Sequence, residues 1–361
     1  MDSISPSQPP NPYHSEESLH QILRKSVAAG ASDVHLKVGQ RPAARVHGNL
    51  VYFRLERLGA ESTEVIARQL LGSRKDSIAP SLECLREYDC SYDLAGCARF
   101  RVHIYRQRSS LAISLRVIPH EIPKLSLLNT PPAWLQLAQK DRGLVLCVGA
   151  AGQGKTTTLA AIVDHMNHSM ARHVVTIEDP IEYLHTDDRC SISQREIGVD
   201  TASYADALRA AMRQNADVIV VGEIRDPESM EFALKAAETG HLVLSTLHTP
   251  DVQRTVNRVI ALSKGPSEDV RERFGDVLQG IFAQRLLPRA DGSALALASE
   301  VLVGTGSVRE SIKRPQGNPP LKELMEQGAD LYGMQTFEMA VCELVRVAVV
   351  SEETARPYLA F

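Results

Sequence analysis

Gly149-Ala150-Ala151-Gly152-Gln153-Gly154-Lys155-Thr156 decides how this chain folds. The octapeptide fits G-x-x-x-x-G-K-[ST], a loop whose backbone N–H groups close around a phosphate. It stands between the apolar run Leu144–Val148 and the run Thr157–Val163, the strand–loop–helix setting that such a loop requires. Glycines let successive N–H groups converge on one anion. The helix that follows adds its positive N-terminal end. Gly149, Gly152, Gln153, Gly154, Lys155, Thr156 and Thr157 are therefore the expected nucleotide-binding residues. Lys155 belongs on the β- and γ-phosphates, and the Thr156 hydroxyl on the Mg²⁺ of a bound Mg-ATP.

Working outward, short apolar runs alternate with helical patterns. Val174–Ile177, Asp217–Val221 and Leu242–Thr246 read as buried strands, with helices around Ser203–Arg213 and Pro227–Thr239 between them. That alternation predicts a parallel sheet with helices on both faces. Glu178, Glu223 and His248 fall at the C-terminal ends of these strands, where open α/β sheets place their sites.

Upstream lies a smaller α+β region. Leu19, Ile22, Leu23 and Val27 recur at helical spacing, and Val34, Leu36 and Val38 alternate with polar residues as in a half-buried strand. A turn at Gly48-Asn49 joins two further strands, and Val65, Ile66 and Leu70 suggest a second helix. In the last hairpin, Ala98, Phe100, Val102 and Ile104, then Leu111, Ile113, Leu115 and Val117, form one apolar face. The opposite face carries Arg99, Arg101 and Arg116. Three readings of that face stand open. It is a solvated face, although arginines at this density without acidic cross-strand partners would repel. It is a nucleic-acid surface with only Tyr105 for stacking. Or it reaches a phosphate held by a neighbouring subunit, which the phosphate loop downstream favours.

Boundaries follow composition. Residues 1–17 hold Pro6, Pro9, Pro10 and Pro12 among serines and read as a flexible tail. Residues 18–119 form the smaller domain, 120–133 a Pro-marked linker, and 134–361 the nucleotide-binding domain. With 361 residues, 43% hydrophobic, and a net charge of −4, the chain can bury two cores and has no global field for DNA or anionic lipid. No apolar run is long enough to span a bilayer and no secretory leader is evident, so a cytoplasmic location is expected. The six cysteines are scattered without a C-x-x-C pair, which speaks against a zinc knuckle or a disulfide framework.

Taken in order, the motifs resemble those of the PilT-like secretion ATPases, the motors of type IV pili. The resemblance runs from Leu19 to the C-terminus. It rests on Gly30–Leu36, Ala98–Val102, the phosphate loop, Thr176–Glu182, Gly222–Asp226 and Thr239–Thr249. It implies a RecA-like P-loop ATPase domain preceded by a small PAS-like α+β domain. It also implies a homo-hexamer that hydrolyses ATP with Mg²⁺ between domains and at a subunit boundary, works peripherally at the bacterial inner membrane on a pilus platform protein, and needs no nucleic acid. Glu223 would polarise water, Glu178 would lie across the same site, His248 would sense the γ-phosphate, and Arg99, Arg101 and Arg116 would act in a neighbour's site. Gly222 stands where many P-loop enzymes place Asp, as it does in this family.

Ser307–Lys313 resembles an element characteristic of retraction motors, which favours retraction over a secretion or conjugation ATPase or an ATP-gated scaffold with little turnover. On one helical turn Val308 and Ile312 would dock, leaving Arg309 and Lys313 as outward cations for a neighbour or an acidic partner.

Overall fold

The computed structural model describes residue 13 and residues 15–46, 48–72, 81–118, 121–292 and 294–359. Of the stretch read as a tail, residues 1–12 and 14 lie outside the described residues. The chain divides into two compact units: Met1–Glu121 with Glu182–Leu184, and Ile122–Ile181 with His185–Phe361.

Among the described residues the first unit is one antiparallel sheet with two helices. Its elements are α1 (Glu16–Ala28), β1 (Ala31–Lys37), β2 (Ala43–Val46), β3 (Asn49–Tyr52), α2 (Ala60–Gly72), β4 (Glu87–Leu94), β5 (Ala98–Gln107) and β6 (Ser110–Ile118). The sheet order is β3-β2-β1-β6-β5-β4. Alternation drives the packing: Phe100, Val102, Ile104, Ile113 and Leu115 are wholly buried with Leu23, Ile66 and Leu70 from the helices. Ser15 caps α1 by accepting from Ser18 N–H at 3.2 Å.

Strand β4 is not among the strands foreseen. Its signal was present, since Tyr88, Cys90, Tyr92 and Leu94 alternate with Glu87, Asp89, Ser91 and Asp93. The strand corrects the account of the arginine face. Register places Asp93 opposite Arg99, Ser91 opposite Arg101 and Asp33 opposite Arg116. Acidic cross-strand neighbours therefore do exist, and the like-charge crowding is confined to the Arg101–Arg116 pair.

The second unit is a seven-stranded sheet. Its strands are β7 (Gly143–Val148), β8 (His173–Glu178), β9 (Ser191–Glu196), β10 (Val218–Val221), β11 (Leu242–Leu247), β12 (Leu278–Pro288) and β13 (Leu295–Val303), in the order β13-β12-β7-β11-β10-β8-β9. Neighbours are parallel except the β12–β13 hairpin, so the sheet is mixed rather than purely parallel. Before and within the parallel core come α3 (Ala133–Ala138), α4 (Lys155–Ser169), α5 (Tyr204–Ala211) and α6 (Pro227–Glu238). Beyond β11 come α7 (Val252–Leu262), α8 (Ser267–Val277), α9 (Gly306–Lys313), α10 (Leu321–Gln327), α11 (Ala329–Tyr332), α12 (Phe337–Arg346) and α13 (Glu352–Leu359). Every residue of β7 and β11 is buried, as a central parallel strand covered on both faces requires.

Helix α9 departs from expectation. Val308 and Ile312 dock as foreseen, with Val308 wholly buried. Arg309 and Lys313, however, are not outward cations. Lys313 Nζ donates to Asp276 Oδ1 at 2.6 Å and lies 3.2 Å from Glu272, while Arg309 donates to the carbonyls of Gly304 and Asp276. Gly275 makes room for this contact, because a Cβ there would fall 2.8 Å from Lys313 Cγ. The pair fastens α9 to α8.

Candidate active site

The phosphate loop leaves β7 and enters α4. Gly149, Gly152 and Gly154 have φ of 153°, 77° and 79°, a region that only glycine occupies without strain. A Cβ on Gly149 would also sit 2.7 Å from the Gln284 carbonyl. Helices α5, α6 and α7 begin with side-chain caps from Ser203, Asp226 and Asp251. α4 begins on Gly154 with no side-chain cap, which leaves its first-turn N–H groups to the loop. Thr156 is exposed on that turn, with Thr157 half-buried beside it.

Two ties from β12 hold the loop in place. Leu286 N–H donates to Gln153 Oε1 at 2.6 Å. Gln284, wholly inside the sheet, exchanges hydrogen bonds with the Thr158 hydroxyl at 2.9 and 3.3 Å. The Gln153 side chain is thus committed to β12. Gln284 was legible only as a polar residue inside an apolar run.

Strands β8, β10, β11 and β7 are consecutive in the sheet, so their C-terminal ends bring Glu178, Glu223, His248 and Lys155 to one edge. Lys155, 7% exposed, donates from Nζ to the carbonyls of Gly149 and Ala150 at 2.8 and 2.9 Å. Its Nζ lies 3.4 Å from His248 Nδ1, and His248 Nε2 lies 2.8 Å from Glu223 Oε2. Burial pushes the Lys155 ammonium down. Burial, with Lys155 and Arg225 assisting, also pushes His248 below its ordinary 6.5. A neutral imidazole between these partners has one tautomer that satisfies both: Nε2–H donates to Glu223 and Nδ1 accepts from Lys155.

Glu223 also pairs with Arg225, whose guanidinium reaches Asp179 at 3.5 Å. Its backbone is fixed by Thr246, which donates from its hydroxyl to the Gly222 carbonyl at 2.6 Å. A Cβ at Gly222 would meet the Ile177 carbonyl at 3.2 Å. β8 therefore leaves little room for an aspartate before Glu223. Glu178 is held differently, accepting from the Thr176 hydroxyl at 2.7 Å and from Gln194 Nε2 at 3.1 Å. Gln194 lies on β9, a polar strand whose apolar pattern is too weak to have announced it.

The arginines belong to the first unit. Arg99 donates to Ser91 Oγ at 2.8 Å, and Arg116 donates to Asp33 at 3.3 Å with 69% of its side chain exposed. Burial pushes the Glu182 carboxyl up, and Arg101 and Arg116 oppose that shift. Tyr105, the lone stacking candidate, stacks on His103 at 5.2 Å.

A parallel sheet with a glycine-rich anion loop after a central strand, and carboxylates at neighbouring strand ends, defines a RecA-like P-loop protein. The chain belongs to the type II/IV secretion system protein family, whose profile matches residues 98–356. It is 36% identical to the type IV pilus retraction ATPase PilT of Pseudomonas aeruginosa, over 94% of this chain and 97% of that protein. The crystal structure of the pilus retraction motor PilT with bound ADP superimposes with a TM-score of 0.81 at 36% identity, covering 93% of this chain and 95% of that one. The ATPase DotB of Legionella pneumophila matches with a TM-score of 0.79 at 26% identity, over 98% of each chain. Among the described residues no helix is long and apolar enough to cross a membrane.

Proposed function

We propose that the chain is an ATP-hydrolysing motor that powers type IV pilus retraction, working as a hexamer at the inner face of the bacterial inner membrane against a pilus platform protein. The observation that carries the chemistry is the contact series from the buried Lys155 through the exposed His248 to the half-buried Glu223, joined at 3.4 and 2.8 Å. Similarity to PilT over nearly the whole of both chains supports the direction of work.

The residues fit Mg-ATP. The positive-φ glycines and the uncapped start of α4 suit its phosphates, and the exposed Thr156 hydroxyl suits Mg²⁺. Mg²⁺ commonly keeps several waters beside one or two protein ligands and substrate phosphates. When bound, the ion supplies charge neutralisation on the phosphate oxygens. Lys155 places a cation on the γ-phosphoryl group. Glu223 takes the proton of the attacking water as the new bond to the γ-phosphorus forms and the β–γ bridging P–O bond breaks, with ADP as the leaving group. Charge developing on the equatorial oxygens is then met by donors already in place, which needs little reorganisation.

His248 joins the two functions. A γ-phosphoryl oxygen competes with Nδ1 for the Lys155 N–H, which frees the imidazole to reorient and alters its hold on Glu223. Presence of the γ-phosphate is thereby reported at the water-activating carboxylate. Glu178 carries hydrogen-bond acceptor capacity beside the same edge. Arg99, Arg101 and Arg116 complete the charge compensation from a neighbouring subunit.

The test is twofold. Purified protein should release phosphate steadily from Mg-ATP, and a strain lacking the gene should be hyperpiliated and unable to twitch. A bald strain would make the chain an assembly or secretion ATPase. Binding without turnover would make it a nucleotide-gated scaffold.

A further inference from the structure

A cleft of about 430 Å³ opens on the second unit, where α10, α12 and α13 cover the β12–β13 hairpin. The phosphate loop residues do not line it. Arg285 of β12 projects into the cleft, with its guanidinium 4.0 Å from the Phe337 ring centroid and 6.0 Å from that of Tyr358. Among the described residues none accepts a hydrogen bond from the Arg285 guanidinium, and the Glu300 carboxyl in the same lining feels its charge without closing an ion pair. The other cations in the lining are already paired, Arg254 with Asp251 at 2.8 Å and Lys322 with Glu338 at 3.5 Å. A half-buried guanidinium with its five donors uncommitted, stacked between rings, is half of a recognition site.

We propose that this cleft binds a carboxylate carried on an apolar stem, gripped in two-point fashion by Arg285, with the stem against Leu321, Met325 and Phe337. The fork of a guanidinium matches the two oxygens of a carboxylate. A phosphate dianion fits less well, because Asp251, Glu300 and Glu338 line the same space and would repel a second charge. Glu300 turns one oxygen away, accepting from Val252 N–H at 2.7 Å, and burial pushes its carboxyl up. The ligand comes either from an acidic side chain of a protein partner or from a free small carboxylate; the chemistry read by Arg285 is the same.

Occupancy reaches the phosphate loop through one strand. On β12 Arg285 lines the cleft, the adjacent Gln284 side chain bonds Thr158, and the backbone N–H of Leu286 holds Gln153. The single tryptophan of the chain reports on that strand, because Trp134 stacks on Phe282 of β12 with centroids 3.8 Å apart.

The experiment titrates the full-length protein with 3-phenylpropanoate, 3-phenylpropanamide and phenyl phosphate, read by Trp134 fluorescence and ligand-observed NMR. The acid should bind about tenfold more tightly than the amide, as a charge-assisted fork implies. Arg285→Met should erase that preference while keeping the amide's weak binding, and Arg285→Lys should keep part of it. Equal binding of acid and amide to the parent protein, which requires no variant, overturns the proposal. So does a preference that survives Arg285→Met, or tighter Arg285-dependent binding of phenyl phosphate. Acetyl-Leu-Glu-Phe-amide, compared with its Gln counterpart, then separates the sources. A Glu-dependent gain over 3-phenylpropanoate assigns a protein partner, and weaker binding assigns a free carboxylate, each with the Arg285 dependence intact.

Discussion

The strand-end cluster of the second unit and the arginine face of the first are both charged, and they handle charge in opposite ways. At the strand ends Lys155 is 7% exposed and the Glu223 side chain 13%, and each charge touches a partner already positioned. On the arginine face Arg116 keeps 69% of its side chain in solvent beside a single aspartate. Buried, partnered charge suits a site that must act without reorganising, since electrostatic interaction strengthens as water is excluded. Arg116, exposed beside Asp33, has donors in reach of an anion arriving from solvent. The first region holds its charges in mutual contact, whereas the second leaves Arg116 largely in solvent.

The largest effects should come from the strand-end cluster. Glu223→Gln should retain ATP binding and lose turnover by a hundredfold or more, whereas Lys155→Ala should weaken nucleotide binding itself. Parent-like hydrolysis by Glu223→Gln would remove the carboxylate from its role and with it the first half of the contrast.

Arg101→Ala should reduce turnover by on the order of tenfold while leaving nucleotide affinity unchanged, because Arg99 and Arg116 remain. Rings mixed from Arg101→Ala and Glu223→Gln subunits should recover activity above either parent. Mixed rings of confirmed mass with no recovery would return the face to the solvated reading.

A smaller loss is expected at a residue that acts through another. Gln194→Leu removes a donor from Glu178, and should lower kcat by about threefold with KM little changed, because the Thr176 hydroxyl still donates to the same carboxylate. A loss as deep as that of Glu223→Gln would make the two carboxylates equal partners.

The pH profile sharpens the same contrast. His248 is held below 6.5 by burial beside Lys155 and Arg225, so its neutral form persists to lower pH than in the unfolded chain. The unfolded chain binds more protons in that window, and stability falls as pH drops from 6.5 through the lowered value. Turnover should fall over the same range, and His248→Asn should flatten the fall. An acid limb centred above 6.5 in the parent protein would contradict the assignment of a neutral imidazole.

The smallest effect belongs to α9. Lys313→Met should cost about 1 kcal/mol or less in thermal unfolding, as a partly exposed ion pair does, and should spare ATP turnover. Loss of retraction with stability and turnover intact would revive the docking role that the intramolecular pairing argues against.

Much of the second unit could be read before it was seen. The phosphate loop, the four parallel strands and the polar residues closing them are local in sequence, because each strand and its terminal residue lie within a few positions. Strand β9 carries no comparable apolar run, and β4, though it alternates, lies outside the expected strands. Those two omissions hid Gln194 behind Glu178 and the aspartates beside the arginines. The sequence showed Arg309 and Lys313 as cations four apart but could not show Asp276 and Glu272 waiting on another helix.

Residue order alone determined a glycine-rich anion loop between strand and helix, the parallel strands around it, and two carboxylates and a histidine at strand ends. Those features follow from backbone sterics and hydrophobic periodicity, which act over ten residues or fewer. Only the tertiary structure decided which groups touch. It set β12 beside β7 so that Gln284 and Leu286 grip the phosphate loop, and left Arg285 facing a cleft on the other side. It also joined Lys155 to Glu223 through His248 across 68 positions of chain (223 − 155). Partners so distant in sequence are chosen by sheet order and register, and no local pattern encodes these.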